Sequence, residues 1–223
     1  MVTLSRSIHL SRLVNMAALA ALLLVLTGSL YLQFVIGEQP CPLCMIQRSG
    51  MIALAIGPLM NLLWGLKPRN YALVILASFV GGAGSVRQIL LHIANDTDPA
   101  YGPAILGFHM YTWAAIVFGV ATVGVALMLM WDGPIEAKEP GLMAEPGRLR
   151  ALALALFGLV AIYTLVITLS VIPECGLSAC PDDPPNTNGM PAWVFFGALA
   201  LVVIACAVGG RFADARLRRR PTA

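Results

Sequence analysis

Six apolar runs, at 13–36, 45–66, 71–93, 109–131, 150–172 and 191–210, constrain this chain more than any other feature. Each approaches or exceeds the ~20 residues that carry a helix across a hydrocarbon core. They are too long and too non-alternating for barrel strands, so a bundle of six membrane helices is the fold the pattern allows. Only 11% of residues are charged, against about 25% in soluble domains. The net charge of +3 is too small and too dispersed for a nucleic-acid partner; the lipid bilayer is the first partner. The first run follows Arg6 and Arg12 like a leader peptide, but its length reads as a retained anchor.

Charge orients the bundle. Six crossings put both termini on one side, with Arg6, Arg12, Lys67, Arg69, Lys138, Arg148, Arg150, Arg211, Arg216, Arg218, Arg219 and Arg220, which is 12 of the 14 Lys and Arg. The positive-inside rule makes that face cytoplasmic. The other face takes residues 37–44, 94–108 and 173–190, with Glu38, Asp96, Asp98, Glu174, Asp182 and Asp183. Trp64 and Trp131 at one set of helix ends, and Trp113 and Trp193 at the other, read as headgroup-layer anchors. Connector 66–70 is short enough to make the second and third helices antiparallel neighbours. Connector 132–149, rich in Pro, Gly and Glu, reads as a tether between a four-helix unit (1–131) and a hairpin (150–211), which a basic tail (212–223) follows. Gly81-Gly82-Ala83-Gly84 admits close helix packing or a flat ligand against the backbone, packing being the simpler reading.

Of the five cysteines, Cys206 lies mid-helix and reads as a small buried apolar residue. The others form two close pairs, Cys41/Cys44 and Cys175/Cys180, both on the non-cytoplasmic face. In a bacterial host that face is the oxidising periplasm. Closing such short loops adds little stability, which favours redox chemistry, while structural disulfides and a four-thiolate zinc site stay open as alternatives. No His follows Cys44, so the haem-attachment signal is absent. A second helix starting at about residue 44 would set Cys44 against unpaired N–H groups and a positive dipole end. Arg48 would lie one turn deeper on the same face. Both favour a thiolate, and an arginine at that depth needs a partner or solvent; snorkelling to the interface is its plain alternative.

The stretch Gln39-Pro40-Cys41-Pro42-Leu43-Cys44 with Arg48, opening a second helix, resembles the bacterial disulfide bond formation protein B (DsbB) family. The resemblance covers roughly 13–131. Arg87, Gln88 and His92 weakly resemble the family's polar residues near its quinone, and the stretch from Tyr101 to Trp113 resembles the outer loop and fourth-helix start of longer members. What this implies is an all-α integral membrane protein: a four-helix DsbB-like bundle, here with an additional C-terminal transmembrane hairpin. The implied activity is that of an inner-membrane protein-disulfide oxidoreductase (thiol:quinone). It would reoxidise a periplasmic DsbA-like thioredoxin-fold protein and pass two electrons to ubiquinone or menaquinone. Carried over by matching residues, Cys41 and Cys44 form the quinone-coupled disulfide and Cys44 faces the quinone. Arg48 steadies the thiolate, with Arg87, Gln88 and His92 as further cofactor-binding residues.

One departure matters. Four-helix members carry their second cysteine pair between helices three and four, and here 94–108 has no cysteine. The expectation is that the added hairpin folds against the four-helix unit and brings Cys175 and Cys180 over Cys41 as a relocated shuttle pair. Pro173, Pro181, Pro184 and Pro185 would keep that loop irregular. Two other classes stand beside this reading: a conduit for reducing equivalents without quinone, and a disulfide-stapled scaffold. A conduit needs cysteines within its helices, where Cys206 is alone. His92 and His109 sit at the outer interface, as quinone or proton-path contacts or simply solvated; His9 reads as solvated. Glu38 is either a proton acceptor near Cys41 or an ordinary exposed loop carboxylate.

Overall fold

The computed structural model describes residues 2–94, 104–176, 180–181 and 185–219. The expectations placed on Asp96, Asp98, residues 101–103, Asp182, Asp183, Pro184 and Arg220, and on the side chains of Pro173 and Glu174, lie outside the described residues.

Hydrophobic length becomes helix almost one for one. The long helices are α1 (Val2–Tyr31), α2 (Pro42–Trp64), α3 (Pro68–Ala94), α4 (Met110–Leu129), α6 (Arg148–Cys175) and α7 (Ala192–Arg218), with a short α5 (Asp132–Glu136) between α4 and α6. A π-helical turn, Leu32–Ile36, prolongs α1. Six segments are long and apolar enough to cross a membrane, and the regular structure among the described residues is helical apart from one bridge between Ile105 and Phe108. The chain is an all-α, multi-pass membrane protein.

The bundle is organised around α2, half of whose spanning window is buried inside the protein, against 6% for α7. Leu54, Leu62 and Leu19 are wholly or almost wholly enclosed there. The glycine stretch of α3 serves packing: a Cβ on Gly81 would stand within 2.4 Å of the Phe118 ring. The ring of α4 therefore fills the groove between α2 and α3, and no side chain larger than hydrogen fits beneath it. Cys206 is buried and unbridged, as expected of a small apolar residue. His9 is exposed, also as expected.

Connector 132–149 differs from the expected tether, because it is folded onto the bundle. Arg12 donates to Glu139 at 2.6 Å and to both Glu145 oxygens at 2.9 Å, and Leu142 is 1% exposed. A buried arginine on α1 requires counter-charge, and the connector's glutamates supply it. Arg12 holds the Glu145 carboxyl below its ordinary value, chiefly through the hydrogen bond it donates. Nearby, Asn70 donates to Asn61 at 2.8 Å and Asn61 to Asn15 at 3.2 Å, tying α1, α2 and α3 at this arginine-rich end.

Candidate redox site at the Cys-x-x-Cys end

At the opposite end α2 begins at Pro42, two residues earlier than the apolar pattern suggests. Proline suits a first helical position because its missing N–H would have no partner there and its φ is already helical. Cys41 is therefore the N-cap, in extended conformation, and its Sγ accepts the Cys44 N–H at 3.1 Å. The helix-end N–H of Cys44 thus reaches the sulfur of Cys41, while Cys44 itself occupies the first turn, at the positive end of α2. Cys41 and Cys44 are joined as a disulfide, with Cα atoms 5.0 Å apart. Cys41 is 3% exposed and Cys44 is half-buried.

Gln88 reaches this disulfide from α3. Its Nε2 lies 3.4 Å from Cys41 Sγ and 3.8 Å from Cys44 Sγ, while its Oε1 accepts from Gln47 Nε2 at 2.7 Å. Gln47 thus holds the Gln88 amide with its nitrogen turned to the sulfurs. Arg48 is buried, and its guanidinium donates to Gln33 Oε1 at 2.5 Å and to the Ser29 carbonyl at 3.1 Å. The charge stays at membrane depth because α1 presents acceptors to it. Sequence reasoning missed Gln33 and Gln47, which look like stray amides in apolar helices; a buried arginine one turn from a disulfide was the available signal.

Glu38 is half-buried and shares a narrow cleft of about 80 Å³ with Cys41, Cys44, Arg48, Gln88 and Tyr111. Burial pushes its carboxyl above the ordinary value of 4.5, and the charge of Arg48 partly opposes the rise. Glu38 is thus a half-buried carboxyl on the wall of the cleft that also holds the disulfide. His92, His109 and Tyr111 form a ring cluster with centroids 5.5 to 5.8 Å apart, and the His92 Nδ1 is buried without a hydrogen-bond partner. Arg87 points elsewhere: it is exposed and does not line the cleft.

The second pair is also closed, Cys175 to Cys180, with Cα atoms 4.3 Å apart. Cys175 ends α6, whose preceding turns share a cavity of about 210 Å³ with Pro40, Met45 and Arg48. Pro181 shares another cavity with Gln39. The segment 185–190 is fastened to the exit of α1. The Thr187 N–H donates to the Gly37 carbonyl at 2.8 Å, the Met190 N–H to the Phe34 carbonyl at 2.7 Å, and Gln39 Nε2 to Thr187 Oγ1 at 2.6 Å. Gly37 has φ 86°, and a Cβ there would lie 1.9 Å from the Thr187 oxygen. The hairpin loop and the segment leading into Cys41 are therefore in direct backbone contact.

Residues 11–100 match the family described as "Disulfide bond formation protein DsbB". The chain is similar to disulfide bond formation protein B 1 of Pseudomonas aeruginosa, 34% identical over 40% of this chain and 57% of that one. It is similar to disulfide bond formation protein B of Methylococcus capsulatus, 38% identical over 36% of this chain and 52% of that one. Its match to disulfide bond formation protein B of Burkholderia thailandensis is 28% identical and covers 57% of this chain and 94% of that one. The chain thus spans a little over half the length of the first of these relatives. No solved structure matches the chain. The segment 11–100, which carries both the Cys-x-x-Cys disulfide and the amides and arginine around it, is thus the part of the chain that is similar to the DsbB family.

Proposed function

We propose that this protein is an inner-membrane thiol oxidase that reoxidises a periplasmic DsbA-like thioredoxin-fold partner and passes the electrons to a membrane quinone. The observation that carries the reading is the backbone contact between the loop after Cys180 and the segment before Cys41, which puts two disulfides on neighbouring elements at one end of the bundle. The arginine-rich opposite end supports a cytoplasmic placement for both termini.

In this reading a partner thiolate attacks one sulfur of Cys175–Cys180 and forms a mixed disulfide; the partner's second thiolate then resolves it. The partner leaves oxidised, and the loop cysteines hold two electrons as thiols. A loop thiolate next attacks Cys41–Cys44, and the second loop thiol closes the Cys175–Cys180 bond again. Cys41 and Cys44 are then the reduced pair. The Cys44 N–H and the Gln88 amide face their sulfurs and stabilise sulfur-borne negative charge. Glu38, with its raised affinity for a proton, is placed to take one from this pair through its carboxylate.

The donor set fits a quinone: apolar and aromatic walls from Val25, Leu32, Met51, Met110, Tyr111 and Trp113, with amide and guanidinium donors at the sulfur end. Bound there, ubiquinone or menaquinone would supply a two-electron acceptor, held by Arg48 and Gln88, with His92 packed behind the Tyr111 wall. The cleft is narrow as it stands, and the unbranched side chains of Met51 and Met110 are able to turn aside. The conduit alternative lacks support, since Cys206 is a single buried thiol.

The test is to purify the protein, add a reduced thioredoxin-fold partner and a soluble quinone, and follow quinone absorbance. Stoichiometric quinone loss with partner oxidation is expected. Quinone that stays oxidised beside fully disulfide-bonded protein would defeat the reading.

A further inference from the structure

We propose that the arginine-rich end of the α6–α7 hairpin is a binding site for the headgroup phosphate of an anionic phospholipid. A groove of about 690 Å³ opens between these helices, with a floor of Ala151, Leu152, Ala155 and Ala207 and a rim of Arg148, Arg211 and Arg218. It lies at the far end of the molecule from both disulfides and takes no part in thiol exchange.

The charges in the groove are arranged unequally. Arg150 is 4% exposed and is held by Asp214, with Nε donating to Oδ1 at 2.5 Å and Nη2 to the Asp214 carbonyl at 3.2 Å. Arg218 shares the same carboxylate at 2.7 Å. Asp214 also accepts the Gly147 N–H at 3.3 Å. One carboxylate therefore answers two arginines, and Arg148 and Arg211 have no carboxylate partner among the described residues. Both are exposed on the rim. The groove carries net positive charge that the protein itself leaves uncompensated.

Below the rim the chemistry changes to that of an acyl chain. The floor residues are alanines and Leu152, which is 47% exposed, and the neighbouring Val208 and Phe212 are 44% and 64% exposed. A free nucleotide or an acidic peptide would find no use for this apolar continuation, which runs into the span of both helices. A phosphodiester between two acyl chains and a small headgroup satisfies both halves, because arginines at the end of a membrane helix attract anionic headgroups and bidentate guanidinium geometry suits phosphate oxygens.

The experiment uses the full chain in phosphatidylcholine micelles, titrated separately with phosphatidylglycerol, more phosphatidylcholine, and inorganic phosphate. Thermal unfolding and native mass spectrometry of retained lipid are the readouts. Phosphatidylglycerol is expected to raise Tm by several degrees and to remain bound through gentle activation. The double variant Arg148→Gln/Arg211→Gln, which leaves the Arg150–Asp214 pair in place, should bind it about thirtyfold more weakly. An Arg148→Lys/Arg211→Lys variant should recover most of that loss. An equal response to phosphatidylcholine, an equal response to inorganic phosphate, or undiminished binding by the Gln variant would overturn the proposal. So would a lipid-independent dimer in wild type that the Gln variant abolishes, which would make the face an interface between copies.

Discussion

Replacing Gly189 by alanine tests whether the two disulfides work through the contact between their elements. A Cβ at position 189 would stand 1.8 Å from the Val35 carbonyl oxygen, where Cβ contacts essentially never fall below 3.0 Å. The obstacle is backbone on both sides, so no side chain can rotate to relieve it. The loop has to retreat by roughly 1.2 Å, the difference between those distances. A retreat of that size takes the Met190 N–H out of reach of the Phe34 carbonyl, from 2.7 Å, and the Thr187 N–H out of reach of Gly37, from 2.8 Å. Two such bonds contribute about 1–3 kcal/mol together, so the docked loop loses roughly fivefold to 150-fold in population. The assay pairs two measurements. Amide hydrogen exchange at Thr187 and Met190 should accelerate by that factor. Partner-driven quinone reduction should fall by a comparable factor, while direct reduction of Cys41–Cys44 by a small dithiol keeps its wild-type rate. Faster exchange with undiminished partner turnover would refute the coupling, and unchanged exchange would refute the steric argument.

Cys175→Ser or Cys180→Ser is expected to abolish oxidation of the protein partner while the Cys41–Cys44 disulfide still forms in the presence of quinone; mass shifts after alkylation read out both. Gln88→Leu removes the amide that faces both sulfurs and strands the Gln47 donor, so it should make the Cys41–Cys44 disulfide equilibrate differently with a glutathione buffer by roughly tenfold, a hydrogen bond to a charged sulfur being worth about 1.5–3 kcal/mol; an unshifted equilibrium would sink that role. Asp214→Asn leaves the buried Arg150 without counter-charge and should destabilise the hairpin by about 3 kcal/mol, visible as a lower Tm that Arg150→Met in the same chain partly restores. Glu38 and Glu145 titrate with opposite sign. Burial raises the folded value of Glu38, so its contribution to stability is present below the ordinary carboxylate value and lost as pH rises through the raised one. Arg12 depresses that of Glu145, whose contribution is present above the ordinary value and lost as pH falls through the depressed one. Comparing the pH dependence of unfolding for Glu38→Gln and Glu145→Gln with wild type should show slopes that change in opposite directions.

What could be read ahead of the structure was whatever lies within one helix length. Hydrophobic runs translate into spans because the bilayer sets their length, and the observed α3, α4, α6 and α7 begin within three residues of the runs that foretold them. The start of α2 was legible too, from Pro42, but the apolar pattern outweighed the proline and displaced the helix end by two residues. With α2 beginning at Pro42, Cys41 becomes the cap whose sulfur accepts the Cys44 N–H. Contacts made across the bundle left no comparable trace. Nothing local marks Gln33 as the acceptor for an arginine 15 residues on, or Glu139 and Glu145 as the counter-charge for Arg12. A connector rich in Pro, Gly and Glu looks the same whether it is slack or folded onto a buried guanidinium.

The same distinction bears on the relay proposed between the Cys175–Cys180 and Cys41–Cys44 pairs. A redox relay needs sulfurs that meet in space, and proximity in sequence is only one way to supply that. Here α6 packs beside α2 near Pro40 and Met45, and the chain after Cys180 hydrogen-bonds to the chain before Cys41. The glycines at 37 and 189 permit that contact, since either Cβ would overlap the opposing backbone. Two glycines and two backbone hydrogen bonds thus place at one end of the bundle a pair that the absence of cysteine from 94–108 would otherwise leave without a counterpart. Loops fastened by so few bonds open readily. In the proposed relay, Cys175–Cys180 would face a soluble partner in one step and Cys41 in the next, and a docking contact worth only a few kcal/mol is weak enough to allow both.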